Sequence, residues 1–174
     1  MTNSPAPVII REAQAQDAAQ IIAHVKRLIA EPEVYIITAP GEFNFTVEQE
    51  QAFLNEHASS DNSVFLVAEI EGKIVGMLNC TGGTRRATRH AATLGMSVDR
   101  EWRNQGVGSL LMARAVEWAK QSEMVSRIEL SVFARNEMAI HLYQKYGFVV
   151  EGRRRKSLYR NGEYFDDLIM ALLL

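Results

Sequence analysis

The sequence predicts a mixed α/β fold: one sheet with helices on both faces. Three observations predict it. Apolar residues recur with helical period in some segments, while Val-, Ile- and Phe-rich runs bounded by turn residues fill others. The elements then fall in the order β, α, α, β, β, β, α, β, α, β, β. Finally, a meander of three strands precedes two strand–helix–strand units, a pattern that gives a sheet of mixed direction.

Val8–Arg11 reads as the first strand. Ala13–Ala30 reads as a helix, with Ala18, Ile21, Ile22, Val25, Leu28 and Ile29 on one side and Pro32 as its stop. Thr46 followed by Gln49 is a capping box that opens a second helix carrying Val47, Phe53 and Leu54. Ser63–Ile70 and Lys73–Asn79 flank the hairpin signal Glu71-Gly72. Thr81–Arg89 reads as a loop and His90–Val98 as the next strand. Gly106–Glu123 is a helix, because Val107, Leu111, Ala115 and Trp118 form one apolar stripe. Arg127–Phe133 is a strand. Asn136–Tyr146 is a helix with Asn136 as N-cap and Gly147 just past its end. A short strand, Phe148–Gly152, and a final strand, Tyr164–Leu173, follow, the latter after an Asn161-Gly162 turn.

Bulk composition narrows the function classes. The chain has 174 residues, the length of one domain, with 47% hydrophobic and 23% charged residues. A net charge of −2 gives no global attraction to nucleic acid or an anionic membrane. The single cysteine, Cys80, excludes an intramolecular disulfide and reads as a small core residue. Met1–Pro7 lacks the pattern of a signal peptide, and no apolar run is long enough to span a bilayer. A cytoplasmic protein is expected, with neither membrane nor nucleic-acid partner.

The chemistry-bearing segment is Arg103-Asn104-Gln105-Gly106-Val107-Gly108, between a strand ending near Val98 and a helix. Glycine lets the backbone approach a ligand, and a helix start offers unpaired N–H groups to an anion such as a pyrophosphate. Leu111 stands where a dinucleotide fingerprint needs its third glycine, and no Gly-Lys-Ser/Thr occurs, so two common nucleotide motifs fail. The turn alone is equally compatible with a helix start that binds nothing.

A wider pattern surrounds it. Met96-Ser97-Val98-Asp99 followed by Trp102–Gly108 resembles the first motif of the GNAT superfamily of N-acetyltransferases. Asn136, Ala139, Leu142, Tyr143, Lys145, Gly147, Phe148 and Gly152 resemble its second motif. Asn161–Asp166 with Met170 is similar to the tail of the branch holding ribosomal-protein and spermidine acetyltransferases. The resemblance covers the chain from about Val64 onwards. It implies a GNAT-like fold with a central, mostly antiparallel, twisted sheet of about seven strands. It divides a single domain into an acceptor half, about 8–60, and an acetyl-CoA half, about 63–174. A homodimer is a further implication, supported by the apolar Leu168–Leu174 stretch, which a strand buried within its own sheet would equally explain.

What the resemblance implies for the site is specific. Acetyl-CoA would be held by backbone groups of Arg103, Asn104, Gln105, Gly106, Val107, Gly108 and Ser109, and its thioester carbonyl by a main-chain N–H of Met96, Ser97 or Val98. Asn136 would touch the coenzyme. Tyr143 would protonate the leaving thiolate, its ionisation setting a high-pH limb. By periodicity alone Tyr143 is a core residue sharing a helix face with Ala139, Leu142 and Tyr146. For the general base the sequence offers Glu129, Glu42 or water, because Ser131 stands where some amino-terminal acetyltransferases carry glutamate.

Other polar residues gain no role. His24, His57, His90 and His141 are scattered without metal-ligand spacing, so no metal is expected, and His24 and His57 read as helix-surface residues. Arg85, Arg86 and Arg89, and the run Arg153–Lys156, read as solvated loop charge, the first cluster alternatively as a phosphate contact. Two functions compete. One is acetyl transfer to a primary amine of a small molecule or a protein N-terminus. The other is a non-catalytic acyl-CoA sensor. A different nucleotide binder is disfavoured by the two failed motifs.

Overall fold

A computed structural model describes residues 6–174; residues 1–5, part of the polar start, lie outside the described residues. Seven strands form one sheet. β1 (Ile9–Glu12), β2 (Val64–Ile70), β3 (Lys73–Gly82) and β4 (Ala91–Val98) pair antiparallel in sequence. β4 pairs parallel with β5 (Arg127–Phe133). β7 (Glu163–Leu173) lies antiparallel between β5 and β6 (Val149–Arg160), giving the order β1-β2-β3-β4-β5-β7-β6.

Helices α1 (Ala18–Ile29) and α2 (Val47–Ala58) cover one face, and α3 (Val107–Gln121) and α4 (Glu137–Lys145) the other. The larger core lies under α3 and α4, where Leu66, Leu78, Leu111, Met112 and Ile128 are fully buried. Each such side chain contributes about 1.5–3 kcal/mol. A smaller core joins Ile21, Leu54, Phe65 and Ile74 beneath α1 and α2. The capping box of α2 forms as predicted: Gln49 N donates to Thr46 Oγ1 at 3.2 Å, and Thr46 N donates to Gln49 Oε1 at 2.9 Å.

The structure corrects the sequence reading in three places, and it places one further stretch. The helix expected from Ala13 begins with a separate tight turn, Ala15–Asp17, because the Asp17 carboxylate accepts from Gln14 N and from Arg11 and stops the chain there. Arg153–Lys156 lies in β6, which continues to Arg160, with Arg153 against Asp166 at 2.8 Å and Arg154 against Asp167. The apolar Leu168–Leu173 stretch lies in β7, which runs between two strands of its own sheet, while Leu173 itself is exposed. His24 and His57 are buried rather than on helix surfaces. Positions 21, 24, 25 and 28 share one face of α1, and 50, 54 and 57 one face of α2, so the period itself carried that signal.

The parallel contact between β4 and β5 is short. It covers Ala91, Ala92 and Thr93 against Arg127, Ile128 and Glu129, and then the strands diverge. From Leu94 to Val98, β4 keeps β3 on one side and has no partner strand on the other.

Candidate functional site

The divergence leaves backbone groups free. Asp99 N donates to Val75 O at 2.8 Å, so Asp99 faces β3. Alternation then turns the amides of Met96 and Val98 toward the open edge, and that of Ser97 toward β3. Side chains alternate as well. Leu94, Met96 and Val98 pack on the α3 side, whereas Ser97 points to α1.

The turn before α3 opens beside this edge. Asn104 has φ 61° and Gly106 φ 85°, both in the left-handed region, and the Gly106 side of the turn meets open space. The first α-helical bond is Leu110 N to Gly106 O at 3.0 Å. The amides of Val107, Gly108 and Ser109 therefore have no partner within the helix. No side chain caps this terminus and no acid lies in its first turn. Gly108 lets α3 sit close to its neighbours: a Cβ there would meet Leu142 Cδ2 at 3.3 Å and Met96 Cε at 3.8 Å. Together these features form a positive, uncapped seat for an anion at the end of the open β4 edge.

α4 closes the other side of the seat. Tyr146 Oη donates to Ser109 O at 2.6 Å, fastening α4 to the first turn of α3. Asn136 Oδ1 accepts from Ala139 N at 3.3 Å, which caps α4 and leaves the amide NH2 available. Tyr143 is 7% exposed and its ring packs near Phe148. Burial pushes its phenol up to about 12. Among the described residues the sealed polar atoms without a hydrogen-bond partner are His24 Nδ1 and Trp102 Nε1. The Tyr143 hydroxyl is not one of them and makes no hydrogen bond within the described residues, so it is a protonated donor with an open side.

Of the residues predicted to hold a coenzyme, Met96, Val98, Gly106, Val107, Gly108, Ser109, Asn136 and Tyr143 sit on the elements that converge here. The side chains of others point elsewhere, whatever their backbone does. The Arg103 guanidinium clasps Glu31 through two contacts of 2.8 Å and reaches Val98 O at 2.9 Å, so it braces the turn. Gln105 Nε2 donates to Glu101 O. Asn104 contributes its left-handed backbone. Ser97 engages His24 instead of the seat.

The candidate bases are already occupied. Glu129 pairs with Arg127 at 2.9 Å where β4 and β5 are still joined, and Glu42 caps its own turn by accepting from Ala39 N at 2.7 Å. Ser131 donates to Asp167, a fully buried carboxylate. Burial raises the Asp167 carboxyl, but hydrogen bonds from Arg154, Ser131 and Ser157 outweigh it and hold the group at about 2. Arg160 reaches across to the 34–36 segment, donating to Val34 O and Ile36 O at 2.7 Å, and Tyr35 lies tilted against Phe133, which meets Phe165 edge-on. Sequence reading missed Glu50, buried on α2 with its carboxyl raised by burial.

A model of the acetyltransferase (GNAT) family matches residues 31–148. The chain belongs to this family. The GNAT assignment makes it an acyltransferase enzyme. It is similar to the L-amino acid N-acetyltransferase AaaT of Escherichia coli K12, 37% identical over 94% of this chain and 96% of that protein. A GNAT-family acetyltransferase from Streptococcus pneumoniae superposes with a TM-score of 0.93 at 38% identity, covering 97% of this chain and 100% of the other. The yncA acetyltransferase of Salmonella typhimurium, solved with its cofactor acetyl-CoA, shares the fold with a TM-score of 0.84 at 18% identity, over 96% and 94% of the two chains. Among the described residues no helix is long and apolar enough to cross a membrane.

Proposed function

We propose that this GNAT enzyme moves an acetyl group from acetyl-CoA to the primary amine of a small molecule, with the α-amine of an L-amino acid as the first acceptor to test. The uncapped α3 terminus beside the open β4 edge carries the reading. Its free amides and absent acid suit a pyrophosphate, and the edge suits an extended arm that pairs with backbone. The 37% identity to an L-amino acid N-acetyltransferase supports the acceptor class.

Each step has a residue. The amides of Val107, Gly108 and Ser109 hold the diphosphate. The Met96 or Val98 amide donates to the thioester oxygen, where charge develops during attack. The amine nitrogen bonds to the carbonyl carbon, the C–S bond breaks, and Tyr143 gives its phenolic proton to the sulfur. The nitrogen loses a proton to solvent as the amide forms, and the phenol is restored from solvent.

Thiol release from acetyl-CoA, measured with a panel of L-amino acids, polyamines and short peptides, tests this. Turnover with amino acids is expected. Tight acetyl-CoA binding without turnover on any amine would favour the sensor reading, and turnover on peptides alone would move the acceptor to a protein N-terminus.

A further inference from the structure

We propose that Ser97, His24 and Asp99 form a proton relay that takes the ammonium proton from the acceptor amine, with Ser97 touching the amine and His24 acting through it. The proposal rests on the acetyl-transfer reading above and supplies the base that reading lacks.

The geometry is a chain of three groups. Ser97 Oγ lies 2.8 Å from His24 Nε2, and His24 Nδ1 lies 2.8 Å from Asp99 Oδ1. The second contact is close in distance but oblique, since Nδ1 makes no aligned hydrogen bond and has no other partner. Asp99 is held on its far side by Arg27 at 2.7 Å. Among the described residues the other charge acting on the ring is Arg103, itself paired with Glu31. Burial is the main influence on His24 and lowers its pKa, so the ring is neutral near pH 7. With a carboxylate beside Nδ1, the ring proton belongs there. Nε2 is then a bare acceptor, and the Ser97 hydroxyl must donate to it.

Position makes this more than a bracket between α1 and β4. Ser97 stands between Met96 and Val98, whose amides face the coenzyme edge. Its side chain leaves the sheet on the face opposite α3 and α4. The phosphate seat and Tyr143 occupy that α3–α4 side, so in this proposal the amine comes to Ser97 from the α1–α2 side. Ser97 is half-buried, whereas His24 is fully buried. Glu129 and Glu42 are engaged elsewhere.

The proton count closes. The ammonium gives a proton to Ser97 Oγ while the hydroxyl proton passes to His24 Nε2, leaving a neutral amine and an imidazolium facing Asp99. The amine attacks, the new N–C bond forms, and the sulfur leaves with the Tyr143 proton. The nitrogen sheds its second proton as the amide forms, and that proton restores the Tyr143 phenol through solvent; the imidazolium proton returns through Ser97 to bulk solvent.

The test is the pH dependence of kcat with the best amine of the panel, for the wild type, Ser97→Ala, Ser97→Thr and His24→Gln. Glutamine can still hydrogen-bond Ser97 but takes no proton, which separates a relay from a strut. Both Ser97→Ala and His24→Gln should lose ~10²-fold or more in kcat with acetyl-CoA affinity kept. The acidic limb of the wild-type profile should vanish in His24→Gln, and Ser97→Thr should recover most of the rate. Imidazole ¹⁵N shifts should place the His24 proton on Nδ1 at pH 7. Full kcat with an unchanged profile in His24→Gln, or a proton on Nε2, overturns the relay while acetyl transfer stands. No turnover with any amine overturns both.

Discussion

Removing only the Tyr143 oxygen, as Tyr143→Phe, separates its chemical role from its packing role. The ring is 7% exposed and lies against Phe148, so phenylalanine keeps the contact. Among the described residues no group bonds the hydroxyl, so the change strands no partner there, and stability should move by less than about 0.5 kcal/mol. Losing a general acid costs roughly 10²–10⁴-fold in rate, about 3–5 kcal/mol of transition-state stabilisation. The phenol sits at about 12 because of burial. It therefore stays protonated through a normal assay range, and the high-pH limb expected from sequence lies beyond it. Wild type and variant should share the shape of the profile below pH 10 and differ only in height. Single-turnover rates of thiol release on pre-bound acetyl-CoA, with calorimetric coenzyme affinity as control, make the measurement. A variant with near wild-type single-turnover rate would refute the acid and leave Tyr143 as core.

Three further outcomes follow from the same geometry. Gly106→Asp places a carboxylate at the uncapped α3 terminus and forces an L side chain to φ 85°, so acetyl-CoA affinity by calorimetry should fall at least tenfold; unchanged affinity would displace the phosphate seat. Arg103→Ala removes the clasp on Glu31, and should cost about 1–3 kcal/mol in denaturant unfolding while weakening coenzyme binding through the loosened turn; a neutral result on both would make the clasp dispensable. Glu50 is raised above its ordinary value by burial, so the folded state holds its proton more tightly than the unfolded chain, and stability is lost as pH rises through the folded pKa. Glu50→Gln should accordingly melt higher than wild type at pH 7, with the gap closing near pH 4; equal melting at pH 7 contradicts this.

Local signals made much of this molecule legible. The Thr46–Gln49 box, the Asn136 cap and the left-handed Gly106 are each set by neighbours within a few residues, and each appears where its residues stand. The element order followed for the same reason. Pairings across long stretches were invisible. Arg103 and Glu31 are 72 positions apart, so the side-chain clasp that braces the turn had no local signal. Ser97 and His24 are 73 apart, and nothing in either segment announces the other. The run Arg153–Lys156 read as loop because charges dominate it, yet carboxylates at Asp166 and Asp167 across the hairpin give those arginines partners in a strand. His24 was readable from period and lost to the ordinary preference of histidine for surfaces.

The placing of β7 governs how this half of the sheet comes into being. β5 and β6 precede β7 in the chain but never touch as neighbours, because β7 lies between them. Until Glu163–Leu173 is made, a nascent chain holds both strands with bare edges, and neither can shelter the other. A polypeptide halted before Glu163 would present two sticky margins instead of one and invite pairing with other chains. Strand insertion thus acts as a keystone: the arch on the coenzyme side stands only once its middle piece is set.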